Sequence, residues 1–218
     1  LLLIQLLADF GCSKIIAVDI DPYKLDMAKK FGATDLILSG RDNTATIYAA
    51  DCAVDCAVND CSSVSNNDDT CNTIHNTADI DKLQEVSSTE NLQGKSVSEI
   101  VHEITGNRGA DVSFEVVGLN STFETAVKSL RKGGILTLVG NFSPGVSLPL
   151  QFVVTREITL NGSCASAGEY DRCLEMIARG VVDIDTFISA AVPLEEGASW
   201  FKRLYDKEKG LMKVILMP

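Results

Sequence analysis

The sequence predicts an α/β fold in which helices pack on a parallel sheet, and three observations carry that prediction. Helix-period and strand-like segments alternate along most of the 218 residues, the pattern of strand–helix–strand crossovers. Three strand-like runs close on glycine, at Val117-Gly118, Val139-Gly140 and Asn161-Gly162. An acid, Asp19, ends an earlier run. A hydrophobic content of 45% is ample for a packed core.

Each element can be justified in chain order. Leu1 to Phe10 is an apolar helix that stops at Gly11, glycine being suited to the left-handed residue past a helix end. Lys14 to Val18 (KIIAV) is a short strand, apolar throughout its centre as a strand buried on both faces must be. Asp21-Pro22 opens the next helix, Asp as N-cap and Pro at the first position, where its missing N–H costs nothing. That helix runs to Phe31, and Leu36 to Leu38 is the following strand. Farther on, Ser96-Val97-Ser98-Glu99 spells a capping box. Val97, Ile100, Val101 and Ile104 then mark one helix face. Asp111 to Val117 is a strand. Ser121-Thr122-Phe123-Glu124 is a second capping box, with Phe123, Ala126, Val127 and Leu130 on one face. Ile135 to Val139 and Ile158 to Asn161 are strands. Helices follow near Glu169 to Arg179 and Glu195 to Tyr205, and Val214 to Leu216 closes the chain as a strand.

The segment from Arg41 to Gly94 breaks this rhythm. It holds ten acids against two bases and so carries eight of the eleven net negative charges. Only nine of its residues are Leu, Ile or Val, which predicts an acidic, disordered insertion. Its Cys52, Cys56, Cys61, Cys71 and His75 lack the tight pairs that zinc sites use, so they read as loop residues. The organisation that follows is a domain of residues 1–40 and 95–182, the insertion at 41–94, and a closing helix and strand at 183–218.

Composition narrows the function. A net charge of −11 argues against binding a nucleic-acid backbone, which needs clustered Lys and Arg. The opening run Leu1 to Leu7 has no basic region before it and no cleavage site after it, unlike a secretion signal. It is also too short to span a bilayer, and it reads as a buried helix lacking its front end. Seven cysteines without a secretion signal point to reduced thiols in the cytoplasm.

The crevice at the carboxyl ends of a parallel sheet is where such folds hold ligands, and glycine there lets a planar ligand approach the backbone. Asp19, in Ala17-Val18-Asp19-Ile20-Asp21, stands where a carboxylate accepts hydrogen bonds from an adenosine ribose. It would repel a 2′-phosphate, favouring NAD over NADP. Lys24, on the next helix, could reach the same sugar, or could be an ordinary surface charge. The expected fold is a Rossmann-like, doubly wound parallel sheet.

Val18-Asp19-Ile20-Asp21-Pro22 through Thr34-Asp35 resembles the second strand and helix of the zinc-type medium-chain alcohol and polyol dehydrogenases. Gly109 to Gly118 resembles their fourth strand, and Leu130-Arg131-Lys132-Gly133-Gly134 to Gly140 their fifth. Arg156 to Cys164 and the ending from Pro193 are similar too, with the sorbitol branch nearest. The resemblance implies that Asp19 and Lys24 bind the adenosine ribose and that Val117 and Gly118 lie on the adenine side. Val139, Gly140, Asn141, Ser163 and Cys164 would line the nicotinamide, and Lys213 would stand near the pyrophosphate. It implies a hydride exchanged between NAD and a small alcohol or polyol, with zinc held by an N-terminal domain and no metal ligand in this chain. Homo-oligomers of the intact enzyme are implied as well, and beside the family's fold the sheet here is expected to lack its first strand and its GxGxxG loop. Ala165 stands where the polyol branch tends to carry a base. Alternative readings are an S-adenosylmethionine-dependent methyltransferase, a non-catalytic nucleotide-binding module, or a zinc-independent quinone or enoyl reductase.

Overall fold

A computed structural model describes residues 1–40, 44–48, 94–141 and 145–218. The elements, in order, are α1 (Leu2–Asp9), β1 (Ile16–Asp19), α2 (Pro22–Lys30), β2 (Asp35–Ser39), β3 (Ala45–Ile47) and α3 (Val97–Ile104). Then come β4 (Ala110–Glu115), α4 (Asn120–Lys128), β5 (Leu130–Leu138), α5 (Leu150–Thr155), β6 (Thr159–Gly162) and α6 (Tyr170–Ala178). The chain ends with β7 (Ile188–Pro193), α7 (Gly197–Tyr205) and β8 (Lys213–Met217). The α/β class and the parallel pairing expected from the sequence are both present.

Strands join in three sheets, ordered β1-β2-β3, β4-β5-β6 and β7-β8. β1 and β2 are parallel, in register from Ile16 against Asp35 to Asp19 against Leu38. All of β4, β5 and β6 are parallel, so Glu115, Leu138 and Gly162 come level at one end. Among the described residues no strand pairing joins β1 to β4. Helix α3 bridges them instead. Its Ile100 and Val101 bury against Ile37 and Ala45 of the first sheet, with Ile16 and Ala110 packed on the same cluster. Lys14 Nζ also donates to the Ile104 carbonyl at 3.2 Å. Helices α1 and α2 cover the first sheet through Leu25, Ala28 and Leu36, and α4 covers the second through Phe123, Val127 and Leu136. Each aliphatic or Phe side chain fully withdrawn from water contributes roughly 1.5–3 kcal/mol, so these three clusters are where the stability resides.

Several local expectations hold for the physical reasons given. Asp21 caps α2, its carboxylate accepting from the Tyr23 N–H at 3.1 Å, with Pro22 at the first position. Ser96 and Glu99 complete their box. Others need correction. The second box was placed on Ser121, but α4 starts at Asn120, and it is the Thr122 hydroxyl that accepts the Leu119 N–H at 3.3 Å. The fourth strand stops at Glu115 and not at Val117, because the next amides turn toward the Glu115 carboxylate. Within the segment expected to be a disordered insertion, Ala45–Ile47 form β3, antiparallel to β2, with Ala45 buried. The Cys52 to His75 cluster lies outside the described residues. Helix α5 and strand β7 were not anticipated, and β8 pairs with β7 apart from the other strands.

The last unit is held to the first at two points. Gln5, buried on α1, donates from Nε2 to the Asp183 carbonyl at 3.0 Å and accepts the Asp183 N–H at 2.6 Å. Phe31 stacks on Phe187, with ring centroids 5.2 Å apart. Among the described residues no helix is long and apolar enough to cross a membrane.

Candidate functional site

Nearly all of the residues singled out from the sequence lie at the carboxyl ends of parallel strands. Asp19 is the last residue of β1, partly buried. Its Oδ1 accepts the Asp21 N–H at 3.0 Å, an Asx turn that fixes the side chain before any ligand arrives. Lys24 is exposed on the first turn of α2. A cleft of about 400 Å³ opens beside these residues, lined by Ile20, Pro22, Ser39, Gly40 and the start of β3.

The second group is tied together by backbone bonds. The Val139 and Gly140 N–H groups both donate to the Glu115 carbonyl, at 2.8 and 3.0 Å. The Ser163 N–H donates to the Leu138 carbonyl at 3.0 Å. The ends of β4, β5 and β6 thus form one rim carrying Val117, Gly118, Val139, Gly140, Asn141, Ser163 and Cys164. Val117 and Val139 are 58% and 44% exposed on it, a poor arrangement for valine unless something apolar covers them. Cys164 is a free, exposed thiol. Lys213 is not brought to this rim by any bond among the described residues; it opens β8 in the separate sheet, with an exposed side chain.

The three glycines differ in what they do. Gly118 has φ +92°, a conformation that L side chains rarely adopt. At Gly140 a Cβ would lie 2.5 Å from the Gly118 nitrogen and 2.6 Å from Glu115 Oε2, so no side chain fits. At Gly162 a Cβ would meet nothing within 4 Å. Gly140 is thus demanded by close packing and Gly162 is not.

Sequence reasoning missed two participants. Ile20, 63% exposed beside Asp19, offers the cleft an apolar face. Glu115 is 2% exposed at the centre of the rim. Its signal was available: one acid near the end of the otherwise apolar run FEVV has to be paired or hydrogen-bonded if the strand is buried. Among the described residues no group of three His, Cys, Asp or Glu could hold a metal ion.

An acid at the end of β1, and glycines just past the ends of the parallel strands β4 and β5, are features of a Rossmann-like α/β fold. Residues 75–179 match the family described as zinc-binding dehydrogenase. The chain is 25% identical over 210 residues to a sorbitol dehydrogenase of Bacillus subtilis (strain 168), covering 96% of this chain and 44% of that protein. It is 28% identical over 180 residues to an L-idonate 5-dehydrogenase of Vitis vinifera, covering 83% and 36%. The crystal structure of 2R,3R-butanediol dehydrogenase from Bacillus subtilis superposes with a TM-score of 0.67 at 19% identity, covering 99% of this chain and 46% of that one. The chain is thus similar to alcohol and polyol dehydrogenases over part of their length. It spans less than half the length of these relatives.

Proposed function

We propose that this chain forms the NAD-holding part of an oxidoreductase that moves a hydride between NAD and a small alcohol or polyol. The observation that carries the reading is Asp19. It is fixed by its Asx turn at the end of β1, beside a cleft, while Gly118 and Gly140 follow the level ends of β4 and β5. A carboxylate there accepts from both ribose hydroxyls of an adenosine and repels a 2′-phosphate. The residues fit the group: Ile20 supplies an apolar surface, Lys24 a cation, and the tight Gly118–Gly140 contact leaves a shallow rim bounded by Val117 and Val139. Asn141, Ser163 and Cys164 continue that rim toward the nicotinamide. In this reading Lys213 supplies charge near the pyrophosphate.

When bound, NAD supplies the hydride acceptor. The chain's own residues bind the adenosine, orient the ring along the rim and exclude water from one of its faces. The alcohol or polyol class follows from the relatives' substrates of that kind, and zinc, held by residues outside this chain, belongs to the same reading. A homo-oligomer is part of it too, supported by β6, which pairs with β5 alone among the described residues and so ends its sheet. A cytoplasmic location is supported by the seven cysteines.

The test is a titration of the chain with NAD, NADP and S-adenosylmethionine, followed by D19S. NAD should bind best, and D19S should weaken it about tenfold while narrowing its lead over NADP, as loss of a hydrogen bond to a charged group requires. A preference for NADP, or tighter binding of S-adenosylmethionine, would refute the assignment.

A further inference from the structure

Glu115 is a buried carboxylate that the reading above does not use. It is 2% exposed, and no Lys or Arg pairs with it among the described residues. An unpaired buried charge persists only where hydrogen bonds replace its water, and here they do. Oε1 accepts from the Val117 N–H at 3.1 Å, the Gly118 N–H at 2.9 Å and the Thr122 hydroxyl at 2.6 Å. Oε2 accepts from the Gly118 N–H at 3.0 Å. The main-chain carbonyl of the same residue takes the Val139 and Gly140 N–H groups. One residue therefore fastens the end of β4, the first turn of α4 and the end of β5.

The chemistry of the group matters. Each of these neighbours donates to the carboxylate, so the site calls for an acceptor at both oxygens. An ionised carboxylate is the side chain that accepts at both ends. The fit is tight as well: Oε2 lies 2.6 Å from where a Cβ of residue 140 would stand. A group swung out of this position would release Gly118, whose φ of +92° depends on its amide being held inward.

We propose that Glu115 is a positioning residue for the dinucleotide. It does not touch the cofactor. It holds Val117, Gly118 and Gly140 so that the rim has the shape the cofactor rests on. This inference rests on the NAD reading given above.

The experiment compares the wild-type chain with E115Q, T122V and T122S. It measures NAD and NADP affinity, and amide hydrogen exchange without ligand. In E115Q the new amide must point a donor at the Gly118 N–H or into the space beside Gly140. Exchange at Val117 and Gly118 should speed up while Ile100 and Val101, buried in the α3 cluster, stay protected. Affinity for NAD should fall about tenfold, the equivalent of one misplaced buried hydrogen bond. The ratio of NAD to NADP affinity should not move, because Asp19 governs it. T122V should repeat the effect more weakly, and T122S, which keeps the hydroxyl, should restore it. Wild-type affinity retained in both E115Q and T122V would overturn the proposal. So would losses that track faster exchange at Ile100, since they would mark general unfolding. If the wild-type chain binds neither dinucleotide, the NAD reading itself fails and the positioning role falls with it. Binding by the wild type and equally by the variants removes the role of Glu115 alone.

Discussion

At the scale of single residues, charge does its work here by making hydrogen bonds in particular directions. Asp111, at the start of β4, shows this on the surface. Arg108 donates to both of its oxygens, at 2.7 and 2.8 Å, and Arg131 Nε to one at 2.6 Å. These bonds hold its carboxyl well below the 3.8 of an ordinary aspartate, Arg108 contributing first and Arg131 second. A folded-state value below the unfolded one means that stability is present above about pH 4. It is lost as falling pH protonates the group. The side chain is 57% exposed, so solvent screens the pair and the effect is small. The difference in urea midpoint between wild type and D111N should be constant from pH 5 to 8 and shrink progressively below pH 4, disappearing only where the folded-state carboxyl is itself protonated. A difference that persists undiminished at pH 3 would show that Asp111 acts by packing.

At the scale of elements, what the sequence made legible was whatever is enforced locally. Asp21-Pro22 and Ser96 to Glu99 have caps whose partners lie within three residues, so their pattern is complete in the chain itself. β3 was invisible because it has three residues, two of them exposed, inside an acidic stretch; its place is fixed by pairing with β2 and not by its own pattern. β7, Ile-Ser-Ala-Ala-Val-Pro, alternates weakly and exists through β8, which is remote in sequence. The candidate site divides likewise. Asp19 and the glycines could be read from their positions at strand ends, whereas the contact between Gly118 and Gly140 depends on how β4 and β5 register. The α3 cap can be weighed directly. The Ser96 hydroxyl accepts the Glu99 N–H at a long 3.4 Å, while Glu99 Oε2 takes the Ser96 N–H at 2.7 Å. S96A should therefore cost about 0.5–1 kcal/mol, the low end for an N-cap, read as a shift of the thermal midpoint. A loss several times larger would mean that the cap supports more than its own helix.

At the scale of the whole molecule, burial is uneven, and that has a consequence for how the chain unfolds. The three clusters around β1, β5 and α3 hold nearly all of the buried apolar residues, but from residue 183 onward Val192 is the one buried residue. That last unit leaves Phe201 and Tyr205 at 75% and 83% exposure. It is fastened to the rest by the Gln5–Asp183 pair of hydrogen bonds and the Phe31–Phe187 stack. Few buried contacts mean a low local free energy of opening. The single tryptophan, Trp200, lies in this unit on α7, with Arg203 over its ring at 3.7 Å. Its fluorescence therefore reports the last unit, while far-UV circular dichroism reports all the helices. In urea the fluorescence transition should come first, at a lower midpoint, in breach of the coincidence that a two-state chain shows. Q5L removes both hydrogen bonds of the clamp and leaves the Asp183 amide unpaired, so it should widen the gap by lowering the fluorescence midpoint. The circular dichroism transition, set by Leu25, Ile100 and Val127, should move far less. Coincident transitions in the wild type would show that the last unit is coupled to the core by more than these two contacts.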